Sequence, residues 1–399
     1  MKKFGPGLLV TAAFIGPGTI TTASVAGANF GFALVWALLF SVFATILLQT
    51  MAARLSVISG LDLAHALRRH IHHPTMKAVA ILLVISAIGI GSAAYEAGNL
   101  SGASLGLQSL FTSVASWVWV PVIAALSALL LFSGMYKLIE IVLISLVVLM
   151  GFVFVSTLFI AAPNLTDILG GLTPSLPKGS IITVLALIGT TIVPYNLFLH
   201  SGVIAKESQQ DNNQQGAIKT HTTDTILSVG VGGLITLAIM ATASVAFFGQ
   251  NQGALSAANM AKQLQPLLGD NAQYFFALGL FAAGLTSAIT APMAGAYAVC
   301  GMLGWEMSIK DTRFKLIACA ILVFGTLVAS LNLNPIEVII FAQATNALLL
   351  PIVCVYLLWL VNNKSVMGRF KNTLALNVVS VPVVLTICAL SAYKLLSLF

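Results

Sequence analysis

Apolar stretches of about 20 residues, each long enough to cross a bilayer as a helix, recur along this whole chain. Lipid offers no hydrogen-bond partner to a backbone N–H or C=O, so only helices and closed barrels can span it. The short alternating segments of a transmembrane barrel are missing. The pattern therefore predicts an all-α polytopic membrane protein with 11 transmembrane helices, at 7–30, 33–56, 78–106, 117–134, 138–161, 180–205, 221–248, 272–303, 314–331, 336–361 and 373–396. Composition agrees: 59% of the 399 residues are hydrophobic and 7% are charged, too few to cover a soluble domain's surface. The apolar run that follows Met1-Lys2-Lys3 has no small-residue cleavage site leading into a polar mature region, so it reads as a retained span.

The net charge of +7 does not point to nucleic acid, because its distribution follows topology. With the N-terminus cytoplasmic, all of the 18 Lys and Arg except Lys178, Lys262 and Lys394 fall on the inner side. An odd number of spans then places the C-terminus outside, and the compact loops fit a bacterial inner membrane. His70, His72 and His73 sit in the first large cytoplasmic loop, where no acidic or Cys partner adjoins them. A solvated basic loop explains them better than a metal site. Cys300, Cys319, Cys354 and Cys388 lie in apolar segments without paired spacing, so buried thiols are expected rather than a zinc or disulfide framework.

Two spans are interrupted at membrane depth, the first by Gly16-Pro17-Gly18-Thr19 and the sixth by Val193-Pro194-Tyr195-Asn196. Broken helices at corresponding places in two halves of a hydrophobic chain are a pointer to a transporter's substrate site. Five helices per half is an odd number, so the halves have opposite orientation. The expected organisation is one transmembrane domain over 1–399, with an inverted repeat of 1–161 and 180–361 and an additional helix at 373–396. Each break frees backbone carbonyls and N–H groups that carry partial charge from the helix dipole. Thr19 and Asn196 can add side-chain oxygens. Neither break carries a carboxylate.

GPGTITTASVAGANFG (16–31), GLDLAHALR (60–68), YKLIEIVLISLV (136–147), VPYNLFLHS (193–201), GLFAAGLTSAITAPMAG (279–295) and QATNALLLP (343–351) together resemble the Nramp proteins. The resemblance runs in order over nearly the whole chain. It implies a LeuT-type fold of 5+5 inverted repeats with broken helices 1 and 6, working by alternating access. Most members of that family are proton-coupled importers of divalent metals, chiefly manganese and iron. The family's metal motifs are altered here. In the first-helix motif Asp-Pro-Gly-Asn, Gly16 stands at the Asp position and Thr19 at the Asn position. In the sixth-helix motif Met-Pro-His, Val193 and Tyr195 replace the Met and His. Gln343 matches the tenth-helix Gln often found at the metal site. Of the third helix's paired acids, associated with proton movement, only Glu96 remains.

Carboxylates offset most of the cost of dehydrating a divalent cation, and a thioether helps to select softer metals. With both gone, carbonyl and amide oxygens suit monovalent cations or polar solutes better than manganese, and Tyr195 adds an aromatic face. Among the other ionisable groups, Glu96 is the first candidate for proton coupling and His200 the second. Asn99 is expected to make a helix–helix hydrogen bond. Lys137 and Glu140 read as an intrahelical pair, and Glu306 as a helix-end group. The leading expectation is a secondary transporter of a small solute or ion other than a transition metal, with no enzymatic activity and no cofactor. Its site is expected at Gly16, Thr19, Val193, Tyr195, Asn196 and Gln343, shaped by the breaks at Pro17, Gly18 and Pro194, with no residue assigned as a metal ligand. One alternative is a proton-coupled carrier of manganese, iron or magnesium with a modified site. Another is a non-transporting receptor or scaffold, disfavoured by the lack of a sizeable cytoplasmic appendage.

Overall fold

The computed structural model describes residues 15–133, 136–208, 213–250, 256–305 and 308–396. Its main helices are α1 (Pro17–Phe30), α2 (Val35–Ser59), α3 (Leu63–His70), α4 (Pro74–Leu110), α5 (Ser116–Ser133), α6 (Tyr136–Ala161), α7 (Ile181–Thr191), α8 (Pro194–Ser208), α9 (Gln214–Phe247), α10 (Ala272–Leu303), α11 (Thr312–Ala329), α12 (Pro335–Asn362) and α13 (Leu374–Leu396), with short helical turns in some connections. Ten stretches among the described residues are long and apolar enough to cross a membrane. Together with α1 they follow the expected spans one for one. The turns expected from Gly7, the side chains of Lys137 and Glu140, and Glu306 lie outside the described residues.

The rim of the bundle is apolar, unlike the surface of a water-soluble protein. Leu82, Phe152 and Phe159 are exposed, whereas Glu96, Asn99, Gln343 and Asn346 are fully buried. Water-facing surfaces are polar, so this is a bundle whose rim meets hydrocarbon and whose largely apolar interior encloses a set of polar side chains. Helix α4 runs through the middle, packed along α10, α12 and α11. Small residues permit near backbone-to-backbone crossings, since between helices in lipid packing replaces the hydrophobic effect. A Cβ on Gly27 of α1 would overlap the Met240 carbonyl of α9, and one on Gly284 of α10 would lie 2.7 Å from the Ala103 backbone nitrogen of α4.

Three expectations change. The segment after α2 is not a plain loop: Asp62 accepts hydrogen bonds from the Ala64 and His65 amides at 2.9 and 3.0 Å and so caps α3. The start of α3 is docked on α8, where the Leu63 amide donates to Ser201 Oγ at 3.0 Å. Arg68 donates to the Met302 carbonyl near the end of α10 at 3.0 Å. His70 closes α3 and its ring Nδ1 lies 2.9 Å from the Ala66 carbonyl. Secondly, α9 begins at Gln214 rather than at 221, because Asn213 caps it by accepting from the Gly216 amide at 3.0 Å. Thirdly, of the cysteines only Cys300 and Cys354 are buried; Cys388 is partly exposed and Cys319 lies on the rim. A thiol is apolar enough to face lipid, so its presence in an apolar run did not fix its side.

Candidate functional site

Both breaks are made by proline. Pro194 has no N–H to donate back to the preceding turn, and its ring disfavours helical backbone at Val193. Helix α7 accordingly closes with the Ile192 amide on the Ile188 carbonyl at 2.8 Å, and Ile192 leaves helical geometry at φ −96°, ψ 82°. Helix α8 restarts at Pro194, with the Asn196 amide on the Val193 carbonyl at 3.1 Å. At the other break, Gly16 is extended (φ −105°, ψ −176°) and Pro17 takes the first helical position, where its missing N–H costs nothing. The Ile20 amide reaches back to the Gly16 carbonyl at 3.2 Å.

The breaks are tied together. The Thr19 and Thr190 hydroxyls lie 2.8 Å apart, joining α1 to α7. On the next residue, Thr191 Oγ1 accepts from Ser41 of α2 at 3.3 Å. Helix α12 lies against both. Gly18 packs directly on the Gln343 side-chain amide, and Gly189 of α7 on the Gln343 backbone carbonyl. Across the first break stands Ser287 of α10, whose Oγ would be 2.9 Å from a Cβ on Gly16. Gly102 of α4 packs on the Pro17 ring.

Several polar side chains in this part of the bundle are buried without a protein hydrogen-bond partner. Both amide atoms of Gln343, Asn346 and Asn196, and the Ser287 hydroxyl, accept and donate no hydrogen bond within the described chain. Such groups in an apolar interior are costly unless something else satisfies them, which marks a place for an ion, a solute or water. Gly16, Gly18, Thr19 and Gln343 are thus brought to one junction. Tyr195 is turned toward α4, edge-on to Tyr95 with ring centroids 5.5 Å apart and planes at 85°. Val193 and Tyr195 are almost fully buried.

The two proton-coupling candidates lie on α4 and α8. The Glu96 side chain packs on Gly325 of α11 and has Asn99, one turn along α4, as its side-chain neighbour. His200 is buried on α8 with neither ring nitrogen bonded. Asn99 does not make the expected helix–helix hydrogen bond; it is buried, and its side-chain neighbour is Glu96 on the same helix. Ser287 and Thr190 are additional members that sequence reading missed. Among the described residues no group of three or more His, Cys, Asp or Glu is placed to hold a metal ion. The donors at the junction are neutral: amides, hydroxyls and backbone.

A family model described as Natural resistance-associated macrophage protein-like, Nramp, matches residues 7–397. The divalent metal cation transporter MntH of Staphylococcus saprophyticus is 29% identical, over 99% of this chain and 92% of its own length. Among solved structures, a manganese transporter of Eremococcus coleocola, in a mutant form, superposes with a TM-score of 0.78 at 21% identity, covering 98% of this chain and 85% of the other. Mhp1, a nucleobase-cation-symport-1 family transporter in a closed conformation, superposes at a TM-score of 0.59 and 16% identity over 98% and 88% of the two chains. The shared architecture is the LeuT-type fold.

Proposed function

From the premise that this chain belongs to the Nramp family of transporters, we propose that it carries divalent metal cations across the membrane by alternating access. The expectation of a non-metal solute rested on the missing Asp, Met and His alone. Full-length relatives named as divalent metal cation and manganese transporters support the cation alternative instead. The observation that carries the proposal is the partnerless Gln343 amide, fully buried and seated on Gly18 at the first break.

Neutral oxygens at Gln343, Thr19, Ser287 and Asn196 hold the ion, which keeps part of its water shell in place of the lost anionic ligands. With Val193 in place of a thioether, the site loses its preference for soft metals, so magnesium competes with manganese at similar concentrations. Residues 1–161 and 180–361 form the two inverted repeats that rock about this junction, with 373–396 outside them. Glu96 and His200 serve proton coupling. The N-terminus is cytoplasmic and the C-terminus outside, in a bacterial inner membrane.

The test is uptake of manganese and magnesium into liposomes containing the purified protein. Saturable uptake is expected, falling about tenfold in Gln343→Ala, the equivalent of one strong polar contact to an ion. A monodisperse protein that moves neither ion faster than empty liposomes refutes the reading.

A further inference from the structure

Helices α4 and α11 run side by side in the same direction. A Cβ on Gly325 of α11 would lie 2.6 Å from Glu96 Cγ. One turn earlier on both helices, Ile321 and Ser92 each lie 2.7 Å from the place of a Cβ on Gly295 of α10. The starts of α4 and α11 therefore share one end of the bundle, where α3 also docks on the end of α10. Two guanidinium groups sit against consecutive residues there. The Arg68 guanidinium carbon is 2.7 Å from the place of a Cβ on Gly304, and that of Arg313 lies over the Trp305 ring, 5.2 Å from its centroid. Among the described residues neither has a carboxylate within ion-pair distance. Asp311, on the same connection, instead caps α11, its Oδ1 accepting from the Arg313 and Phe314 amides at 2.7 and 3.3 Å. Arg69, Lys77, Lys310 and Lys315 add positive charge at the end of α3 and the starts of α4 and α11. Arg313 is exposed, and the exposed Leu316, Val323 and Leu327 follow it on one face of α11. Met76, Val79 and Leu82 are exposed along the start of α4.

We propose that this end binds an anionic phospholipid, its phosphate held by Arg68 and Arg313 and its chains laid along α11 and α4. A phosphate diester presents paired oxygens that match the fork of a guanidinium, and forks from two elements fix one headgroup better than scattered lysines do. Stacking on Trp305 orients the Arg313 group, and a Trp suits the boundary between headgroups and hydrocarbon. Exposed leucines line every lipid-facing helix, so the apolar stripe by itself selects nothing. Its head does the selecting. Guanidinium groups without a carboxylate favour a lipid of net negative charge over a zwitterionic one, whose own cation offsets the phosphate. A free phosphate shares the headgroup chemistry but gains nothing from Leu316 and Val323, which favours the lipid. The site lies at the rim of the bundle and holds whichever cation is carried.

The experiment titrates phosphatidylglycerol or phosphatidylcholine, with identical acyl chains, into the purified full-length protein in a neutral detergent, and follows thermal unfolding without divalent metal. Phosphatidylglycerol is expected to raise the unfolding temperature at a several-fold lower concentration than phosphatidylcholine. Arg313→Gln should raise the half-effective concentration of phosphatidylglycerol about fivefold, the worth of one basic side chain at an anionic lipid surface. Arg68→Gln combined with Arg313→Gln should raise it further. Arg369→Gln is the control: it removes the same charge from a guanidinium stacked on Phe370 in another connection, and should leave the response unchanged. Glycerol phosphate, which has the phosphate without the chains, should have no effect at the same concentrations. A wild type that responds equally to both lipids, or an Arg313→Gln protein that responds as the wild type does, overturns the proposal. So does an Arg369→Gln protein that loses as much as Arg313→Gln, since the effect is then one of overall charge. Glycerol phosphate that reproduces the shift replaces the lipid with a soluble anion and equally overturns it. Should Arg68→Gln fail to fold, Arg313→Gln, whose side chain is exposed, decides alone.

Discussion

Gly189→Ala tests whether the backbone contact between α7 and α12 sets the geometry of the junction. A Cβ on Gly189 overlaps the Gln343 carbonyl oxygen and lies 2.8 Å from its carbonyl carbon and 3.0 Å from the Ala347 nitrogen. All three are helix backbone atoms, so none can turn aside as a side-chain end does. The two helices must separate locally by about 1 Å to regain ordinary contact distances, forfeiting dispersion contacts along the crossing. Overpacking of this kind costs about 3 kcal/mol at its upper range, and Ala in place of Gly returns about 1 kcal/mol of helix propensity. The net loss of about 2 kcal/mol corresponds, at the usual unfolding entropy per residue, to a fall of about 2–3 °C in unfolding temperature for a chain of this length. Gly230→Ala is the control. It lies within α9 with nothing inside 4 Å of its added methyl, so the same chemical change should leave stability equal or slightly higher. Thermal unfolding of both variants in detergent, with manganese uptake in liposomes, gives the comparison. Gly189→Ala should also transport poorly, because the shift moves Gln343. If it unfolds at or above the wild-type temperature and transports normally, the contact does not hold the site.

Two further outcomes concern residues away from the junction. The ring of His65 on α3 lies 2.7 Å from Asp62 Oδ2, and that hydrogen bond raises the His65 pKa above its ordinary value despite partial burial. A raised folded-state pKa adds stability below the unfolded value near 6.5 and loses it as pH climbs through the folded one. The stability gap between wild type and His65→Ala should therefore be wider at pH 5.5 than at pH 8.5, as read by thermal unfolding; an unchanged gap refutes the pairing. Just before α13, Asn372 Oδ1 accepts from Arg54 of α2, and Asn372 donates in turn to Asn377 at 2.9 Å. Asn372→Ala removes the acceptor of a part-buried guanidinium and should cost about 2 kcal/mol, measurable as a lower unfolding temperature.

Much of this architecture was legible because lipid simplifies the code. A run of about 20 apolar residues has one low-energy answer in a bilayer, so the spans were fixed within a few residues by composition alone. Proline acts just as locally: the ends of α7 and the starts of α1 and α8 follow from its missing N–H and its ring. The misreadings arose where capping overrode hydropathy. Asp62 and Asn213 each build helix from polar residues that carry no apolar signal.

The membrane class, the order of spans, the two breaks and the absence of a carboxylate at either were all determined by sequence, since each depends on residues adjacent in the chain. Which helix faces which break depended on contacts between residues far apart. Ser287 in α10 and Thr190 in α7 read as ordinary small polar residues of apolar helices, and only packing placed the one across from Gly16 and the other on Thr19. Asn99 shows the converse: a polar side chain expected to bridge helices is buried beside Glu96 of its own helix. Helix–helix packing in lipid is decided by shape, where a single glycine sets how close two backbones come, and that has no one-dimensional signature. The sequence therefore located the junction and stated what it lacks; the tertiary structure decided which donors meet there.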